Sequence, residues 1–200
     1  IWDAIKASCI LCGARTLAGA LVPLAGTAPS NNNFVDADYN RETGLKGDGA
    51  TKYLDSGRAD NADPAGSKHY SIYATTTPNQ IPIGLNSAGV ASQMYYSGGN
   101  VNFYLRFGTA ATVSGGAVAG FHSMKRVDSS NVNAICPAGS VTFASAESVQ
   151  GIAAYVFARN NGGTADLFTT TRLAFYSIGT AISDLALLDS RVTALVTSIG

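Results

Sequence analysis

The sequence holds few residues that could carry acid–base chemistry on a sugar. Hydrolysis of a glycosidic bond requires two carboxylates that flank the bond. The chain has only two glutamates, Glu42 and Glu147, and both lie in segments predicted as turns. The predicted strands between His69 and Ile178 contain almost no acidic residue. We therefore expect a protein that is not an enzyme.

Nucleophile and phosphate motifs are also incomplete. Leu85–Gly89 has Leu where a Gly-x-Ser-x-Gly elbow requires its first Gly, and no helical pattern follows it. Gly44–Gly49 has the glycine spacing of a phosphate loop, but Ala50 stands in the place of its Lys, and no helix is predicted to follow and receive a phosphate. His69 and His122 lie in predicted strands with no paired acid, which is more typical of packed histidines than of general bases. We assign no catalytic residue.

Two groups of residues have the types found in metal sites. Cys9 and Cys12 have Cys-x-x-Cys spacing, but their helical spacing and the apolar residues between them favour buried core thiols over half of a zinc site. The segment from Asp36 to Glu42 places oxygen ligands at alternate positions, as a calcium loop does. Arg41 stands where an EF-hand needs Gly, and Gly47 stands where it needs the bidentate Glu. An EF-hand is excluded.

Aromatic residues surround the predicted turn Ser97–Asn100 and could stack on the apolar face of a sugar. Side chains alternate along a strand, so Tyr104 and Arg106 are predicted to share the outer face of theirs. Together with Tyr95 and Tyr96, they are the candidate contacts for a glycan or a protein partner. The alternative is that they cover the outer sheet or pack against a neighbouring subunit.

Composition and charge exclude several classes of protein. Thirteen Lys and Arg balance thirteen Asp and Glu, so no net field attracts this chain to nucleic acid, and we expect no nucleic-acid partner. No apolar stretch approaches the ~20 residues of a spanning helix, so we expect no membrane insertion. The 22 glycines and the scarcity of Glu and Lys favour β-structure over a helical bundle.

The elements that must position these residues are mostly strands. Short runs rich in aromatic and β-branched residues alternate with turn clusters from Lys68 onward, and nothing helical interrupts them. The predicted strands are His69–Thr76, Gln80–Leu85, Ser92–Ser97, Val101–Phe107, Ala117–Arg126, Asn131–Cys136, Ser140–Ala144, Ile152–Ala158 and Arg172–Ile178. Sequential strands without helical crossovers predict an all-β, antiparallel two-sheet β-sandwich of the jelly-roll type.

Helices are predicted only at the two ends of the chain. Trp2, Ile5, Cys9 and Cys12 recur at helical spacing and predict a short N-terminal helix. Residues 1–180 thus form the sandwich domain, and residues 181–200 form a C-terminal helix that could lead into a further segment.

The C-terminal helix carries a heptad seam. The seam residues are Leu185, Leu188, Val192, Leu195 and Ile199. They could join copies of the chain in an oligomeric stem, or they could pack on the chain's own sandwich. Two heptads are fewer than the ~3 to 4 that a convincing coiled coil requires, which favours packing on the sandwich.

Several segments resemble a known family. They are Thr16–Leu24, Asn33–Phe34, Asp38–Gly47, Lys52–Asp55 and the closing strand Arg172–Gly179 with its following helix. They resemble concanavalin A-like (laminin G-like) jelly-roll domains in virion proteins of tailed bacteriophages, especially phages of marine cyanobacteria. The resemblance covers nearly the whole chain.

The resemblance implies a structural role in a virus particle. Phage members of this family occur in tail fibres, tail-associated appendages or head decorations. Laminin G-like relatives often bind calcium at the sandwich rim, which here would involve Asp36, Asp38 and Asp48; no other cofactor is implied.

Two hypotheses follow. The first is a non-catalytic structural protein of the virion that forms a homo-oligomer and contacts other virion subunits. The second is a lectin-like module that binds bacterial surface glycan.

Overall fold

The protein is a two-sheet β-sandwich with one long helix packed outside it. The computed structural model describes residues 1–144 and 146–199. The strands are β1 Ile5–Ile10, β2 Ser30–Asn32, β3 Tyr39–Asn40, β4 Gly44–Lys46, β5 Tyr53–Ala59, β6 Lys68–Ala74, β7 Gln80–Ser87, β8 Val90–Ser97, β9 Asn100–Phe107, β10 Ala111–Val113, β11 Gly120–Arg126, β12 Asn131–Cys136, β13 Gly139–Ala144, β14 Ala153–Val156, β15 Arg159–Asn161, β16 Thr164–Asp166 and β17 Arg172–Gly179. The helices are α1 Leu17–Ala20, α2 Leu185–Ile199 and the 3-10 turns Trp2–Ala4, Asp36–Asp38 and Asp60–Ala62.

The first sheet is centred on the last strand of the chain. Its order is β13-β12-β11-β6-β17-β4-β3, and β1 also pairs with β17. β1 pairs with β17 from Phe175 to Gly179, and β4 pairs with it at Arg172 and Leu173, so two short strands share one flank of β17. The N-terminal and C-terminal strands are therefore neighbours.

The second sheet has the order β10-β9-β8-β7-β14-β5-β2, with β15 and β16 attached beside β7. The pairings along this order are antiparallel, and β15 runs parallel to β7. The two-sheet antiparallel sandwich predicted from the sequence is confirmed, with this single parallel pair among the described strands as an exception.

Alternation along the strands builds the core between the sheets. Tyr70 and Ile72 of β6 face Phe103 and Leu105 of β9 across a buried cluster that also includes Met94 of β8. Burial of such side chains stabilises each by about 1.5–3 kcal/mol. The intervening residues of the second sheet point to its outer face.

A second apolar cluster lies outside the sandwich, between α2 and the first sheet. Leu185, Leu188, Val192 and Val196 of α2 are buried there against residues that include Phe175. Lys125 ties the start of the helix to the sheet, because its Nζ donates to the carbonyls of Ile182 and Ser183 at 3.0 and 2.8 Å.

The predicted heptad seam therefore packs largely on its own chain. Leu185, Leu188 and Val192 are buried against the first sheet, Ile199 is half-buried, and Leu195 is 37% exposed. Gly200 lies outside the described residues. The division of the chain after residue 180 stays a prediction.

The predicted N-terminal helix is wrong. Residues 5 to 10 form β1, and only Trp2–Ala4 makes a 3-10 turn. Cys9 and Cys12 are buried, as expected, but Cys9 belongs to the core between the sheets and Cys12 to the cluster under α2. Hydrogen bonding to the open flank of β17 overrides a helical spacing that is only three turns long.

All nine strands predicted between Lys68 and Gly179 are present, and Asn131–Cys136 has the predicted bounds. The predicted turn Ser97–Asn100 joins the neighbouring strands β8 and β9. No helix of the described chain is long and apolar enough to cross a membrane.

Candidate functional site

An apolar groove lies on the outside of the sandwich, between α2 and the N-terminal segment. It has a volume of about 320 Å³. Its lining residues are Ile1, Trp2, Ile5, Ile10, Leu24, Phe175, Leu187, Leu188, Arg191, Val192 and Leu195. A second depression of about 400 Å³ shares Ile10, Leu24 and Leu195 with it and extends to Ile199 and Gly19. We call the two together the apolar groove.

The groove arises because α2 covers only part of the outer face of the first sheet. The helix buries one stripe, which leaves Leu187 and Leu195 on its flank, 41% and 37% exposed. Trp2, 54% exposed, and Leu24, 41% exposed, form the facing wall. The backbone of residues 24 and 25 is held beside β1 by hydrogen bonds to Ser8. Helix α2 therefore positions one wall, and the pairing with β1 positions Leu24 in the other.

One charge lies in this apolar surface. Arg191 is the only charged lining residue of the groove within the described chain, and it stands one helical turn from both Leu187 and Leu195. The acidic residues of α2 and its cap have other partners: Asp189 accepts from Thr193 Oγ1, and Asp184 accepts from the amide of Leu187. None of the ion pairs of residues 1–144 and 146–199 includes Arg191.

A second surface lies on the outer face of the second sheet. The strand registers place Tyr104, Gln93, Gly84, Tyr155 and Asp55 in one transverse row, which we call the polar row. The strands are close at its centre, because a Cβ on Gly84 would lie 2.4 Å from Gln93 Cβ. Gln93 and Tyr155 are only 6% and 8% exposed, so the half-buried Tyr104 and Asp55 supply most of the accessible surface of the row. An aromatic ring and a carboxylate are components of a sugar-binding surface.

Neighbouring aromatic rings extend the row. Tyr53 stacks beside Tyr155 with ring centroids 4.5 Å apart, and Phe168 lies 6.2 Å from Tyr53. Tyr95 and Tyr104 are half-buried. These two predicted contact residues therefore retain exposed surface on the outer face.

The predictions for Arg106 and Tyr96 as surface contacts are wrong. Tyr96 is 3% exposed and points into the core, where its ring packs edge-on against His122. Arg106 is fully buried. It is the extra residue of a β-bulge opposite Ala91 and Ser92, with φ of 59°, so the alternation that would place it outside breaks at this residue.

Arg106 instead organises a buried ionic cluster at one end of the sandwich. Its Nε donates to both oxygens of Asp60 at 3.2 and 3.1 Å, and its guanidinium also donates to backbone carbonyls of residues 60 to 65. Lys68 Nζ lies 2.8 Å from Asp63 Oδ2 and 3.7 Å from Asp60 Oδ1. Burial lowers the pKa of Lys68, against the attraction of these two carboxylates. The cluster fixes the loop that connects the two sheets.

The three residues proposed for calcium do not converge. Asp38 pairs with Lys52 at 2.6 Å and accepts from the amide of Val35. Although burial opposes the shift, hydrogen bonds from Ala50, Thr51 and Lys52 hold the pKa of Asp48 well below its usual range. Asp36 is exposed in its 3-10 turn. The described residues contain no cluster of three or more His, Cys, Asp or Glu that could hold a metal ion.

The cysteines are also separated. Cys9 and Cys12 lie in different apolar clusters, and all three cysteines are free thiols. Burial raises the pKa of Cys9 to about 11, although a hydrogen bond with Tyr176 opposes the shift. A protonated, buried thiol is a poor metal ligand.

The two glutamates lie in different loops, and both histidines are buried. Glu42 is exposed in the turn between β3 and β4, and Glu147 lies half-buried in the loop after β13. His69 and His122 are fully buried, in hydrogen bonds to Thr180 O and Val118 O.

No family model matches the chain, and no curated protein matches it. Solved structures do match. A point mutant of the NanB sialidase from Streptococcus pneumoniae is similar at 16% sequence identity, with a TM-score of 0.47, over 64% of this chain and 24% of the sialidase. Domains LG4-5 of the mouse laminin alpha1 chain are similar at 14% identity, with a TM-score of 0.46, over 79% of this chain and 46% of the laminin chain.

These likenesses are weak. The chain spans about a quarter of the sialidase and less than half of the laminin chain. With identities and TM-scores this low, they assign no ligand, activity or partner to this protein.

Sequence reasoning missed the groove. Trp2 was predicted only as part of one face of a short helix, and it is among the most exposed apolar residues of the described chain. The signal was present in the heptad seam, since Leu195 remains exposed when the stripe centred on Leu188 and Val192 is buried. The stripe Leu187–Arg191–Leu195 on the flank of α2 was not considered.

Proposed function

We propose that this chain is a non-catalytic assembly module of a tailed-bacteriophage particle, as part of a tail fibre, an appendage or a head decoration. Its apolar groove would dock a segment of another subunit. The observation that carries the proposal is the concentration of exposed large apolar side chains in one groove: Trp2, Leu24, Leu187 and Leu195.

The physical reason is the cost of leaving this surface in water. Single exposed apolar residues are ordinary on a protein surface, but contiguous ones mark interaction sites. Each Å² of apolar surface removed from water contributes about 25 cal/mol. The low charge of the chain, 13% of residues, also suits permanent subunit contacts, which are depleted in charge at their centre.

The test uses a photocrosslinking amino acid at Leu195 in the chain produced with its particle. We expect the chain to copurify with particles on a density gradient and to crosslink through position 195 to another particle protein. Val149 is the matched control, because it is 39% exposed against 37% for Leu195 and lies outside the groove. Absence of the chain from particles, or equal crosslinking from both positions, contradicts the proposal.

A second candidate function is recognition of a bacterial surface glycan, favoured by the polar row. The ring of Tyr104 would stack on a sugar while Asp55 binds hydroxyl groups, since both side chains are half-buried. We expect Tyr104→Ala to weaken binding to host surface polysaccharide at least fivefold, with Leu195→Asp as the control that leaves binding unchanged. Host-cell polysaccharide that does not bind the wild-type chain removes this candidate.

A further inference from the structure

Arg191 adds a positive charge to the otherwise apolar lining of the groove. Arg191 lines the groove one helical turn from both Leu187 and Leu195 on the exposed flank of α2, and the groove lining of the described chain offers it no carboxylate. Arg191 is exposed in the free chain, and a partner that covers it withdraws it from water, where attraction to a carboxylate is stronger because the local dielectric is lower. The groove is therefore lined mainly by apolar side chains and carries a positive charge at Arg191.

The length of the groove fits a helix. It follows α2 from Leu187 to Ile199, which corresponds to about 18 Å at 1.5 Å per residue. That length accommodates about three turns of a second helix lying beside α2.

An added strand fits less well. An incoming strand needs an unpaired sheet edge, but β1 is paired with β17 on one side and bridged at Ser8 to Ala25 on the other.

We propose that the apolar groove takes an amphipathic α-helix of a partner protein, oriented so that a carboxylate of that helix pairs with Arg191. This inference rests on the proposed function, because it names the partner for the same groove. The partner helix places leucine-like side chains at i, i+3 or i+4 and i+7 against Trp2, Leu24 and Leu195. Its acidic residue faces the middle of α2.

The chain carries its own reporter of occupancy. Trp2 is the only tryptophan and forms one wall of the groove, so a bound apolar helix excludes water from the indole and shifts its emission to shorter wavelength. The probes are two synthetic amphipathic peptides of about 15 residues without Trp or Tyr. They have identical leucines and differ only in a central Glu or Lys.

We expect the Glu peptide to shift the Trp2 emission and to bind at least about fivefold more tightly than the Lys peptide. Arg191→Glu should reverse this preference. Lys46→Glu is the control, because it makes the same change in net charge at an exposed residue of β4, outside the groove. That variant should keep the wild-type preference.

Three outcomes overturn the inference. If both peptides bind equally and Arg191→Glu changes neither affinity, the carboxylate does not pair with Arg191, although apolar docking of a helix remains. Failure of both peptides to shift Trp2, together with specific crosslinking from position 195, shows that the groove takes another kind of segment and that the proposed function stands. If the Trp2 emission shifts to shorter wavelength with increasing chain concentration and no peptide, and sedimentation shows dimers, then a second copy of the chain occupies the groove. Failure of particle crosslinking instead counts against the proposed function itself.

Discussion

Two carboxylates, Asp60 and Asp63, lie in the interior of the sandwich with at most 3% of their surface exposed. Each is balanced by a buried cation, and Asp60 also accepts from the amide of Gln150 at 3.2 Å. A buried ion pair contributes little net stability over an apolar pair, but removal of one partner leaves the other charge without compensation. These residues therefore govern stability.

Asp60→Asn is expected to lower the free energy of unfolding by about 3–5 kcal/mol, because Arg106 and Lys68 lose their shared counter-charge. Asp166→Asn is the matched control. Its partner Arg159 lies at 2.6 Å in a partly exposed pair, and such pairs contribute at most about 1 kcal/mol. Urea unfolding measures both variants, and equal losses would contradict the distinction.

Both histidines make the fold sensitive to mild acid. Burial lowers the pKa of His69 and of His122 to about 4, although a backbone carbonyl opposes the shift in each case. In the unfolded chain these groups take up a proton near pH 6.5. The unfolded state thus binds more protons than the native state between pH 6.5 and 4, and stability is lost as the pH falls through this window.

We expect each histidine to account for a loss of about 3 kcal/mol over that window. His122→Gln keeps a donor for Val118 O and should remove about half of the pH dependence. The measurement is the urea midpoint at about pH 7 and about pH 5, above the range in which most carboxylates take up protons. An unchanged slope in the variant would be inconsistent with this account.

The site residues show how far alternation carries a prediction. Tyr104 lies on the outer face, as the period of two requires, whereas Arg106 two residues later is buried. The bulge that reverses Arg106 depends on its long-range contacts with Asp60 and the loop after it. Contacts across more than 40 residues leave no trace in local spacing.

Helix α2 is held on the sandwich by the one face that it buries against the first sheet. Leu188 is buried against the first sheet, while the adjacent Leu187 is 41% exposed. Leu188→Ala is expected to reduce stability by about 2–5 kcal/mol, because it leaves a cavity under the helix. Leu187→Ala should cost less than about 1 kcal/mol. Thermal unfolding followed by circular dichroism tests the pair, and similar losses would contradict this assignment of faces.

The junction of β4 with β17 depends on a glycine. Gly44 has φ of +99°, and a Cβ there would meet the carbonyl oxygen of Leu173 at 2.1 Å. Gly163 has φ of +101° with nothing within 4 Å of the same position. We expect Gly163→Ala to cost about 1–2 kcal/mol from backbone strain alone.

Gly44→Ala should cost at least about 2 kcal/mol more than Gly163→Ala, because β4 must also separate from β17 and lose hydrogen bonds. Denaturant midpoints of the two variants give the difference. Equal costs would mean that β4 shifts without losing its pairing.

The strands were predictable because their signals are local. Each of the nine main strands combines a period of two with flanking turn residues, so the pattern and the fold agree. β1 could not be predicted in this way, since its partner β17 lies more than 160 residues away. Ile5 and Cys9 of β1 also have the spacing of one helix face, and only the pairing with β17 decides between strand and helix.

The whole molecule presents its two candidate surfaces on opposite sides. The apolar groove lies outside the first sheet, and the polar row lies outside the second, with the core between them. We expect Tyr104→Ala to leave the peptide-induced shift of Trp2 emission unchanged and Leu195→Asp to abolish it. Loss of the shift in Tyr104→Ala would show that the two faces are coupled.

The position of β17 also constrains the order of events during synthesis. β17 is an interior strand of the first sheet, yet it is synthesised more than 160 residues after β1. At ~5–20 residues per second, β1 waits about 10 s or more for its partner. During that time β1 and β6 expose open edges that can pair with other nascent chains. Successful production of this protein thus depends on shielding those edges until β17 has left the ribosome.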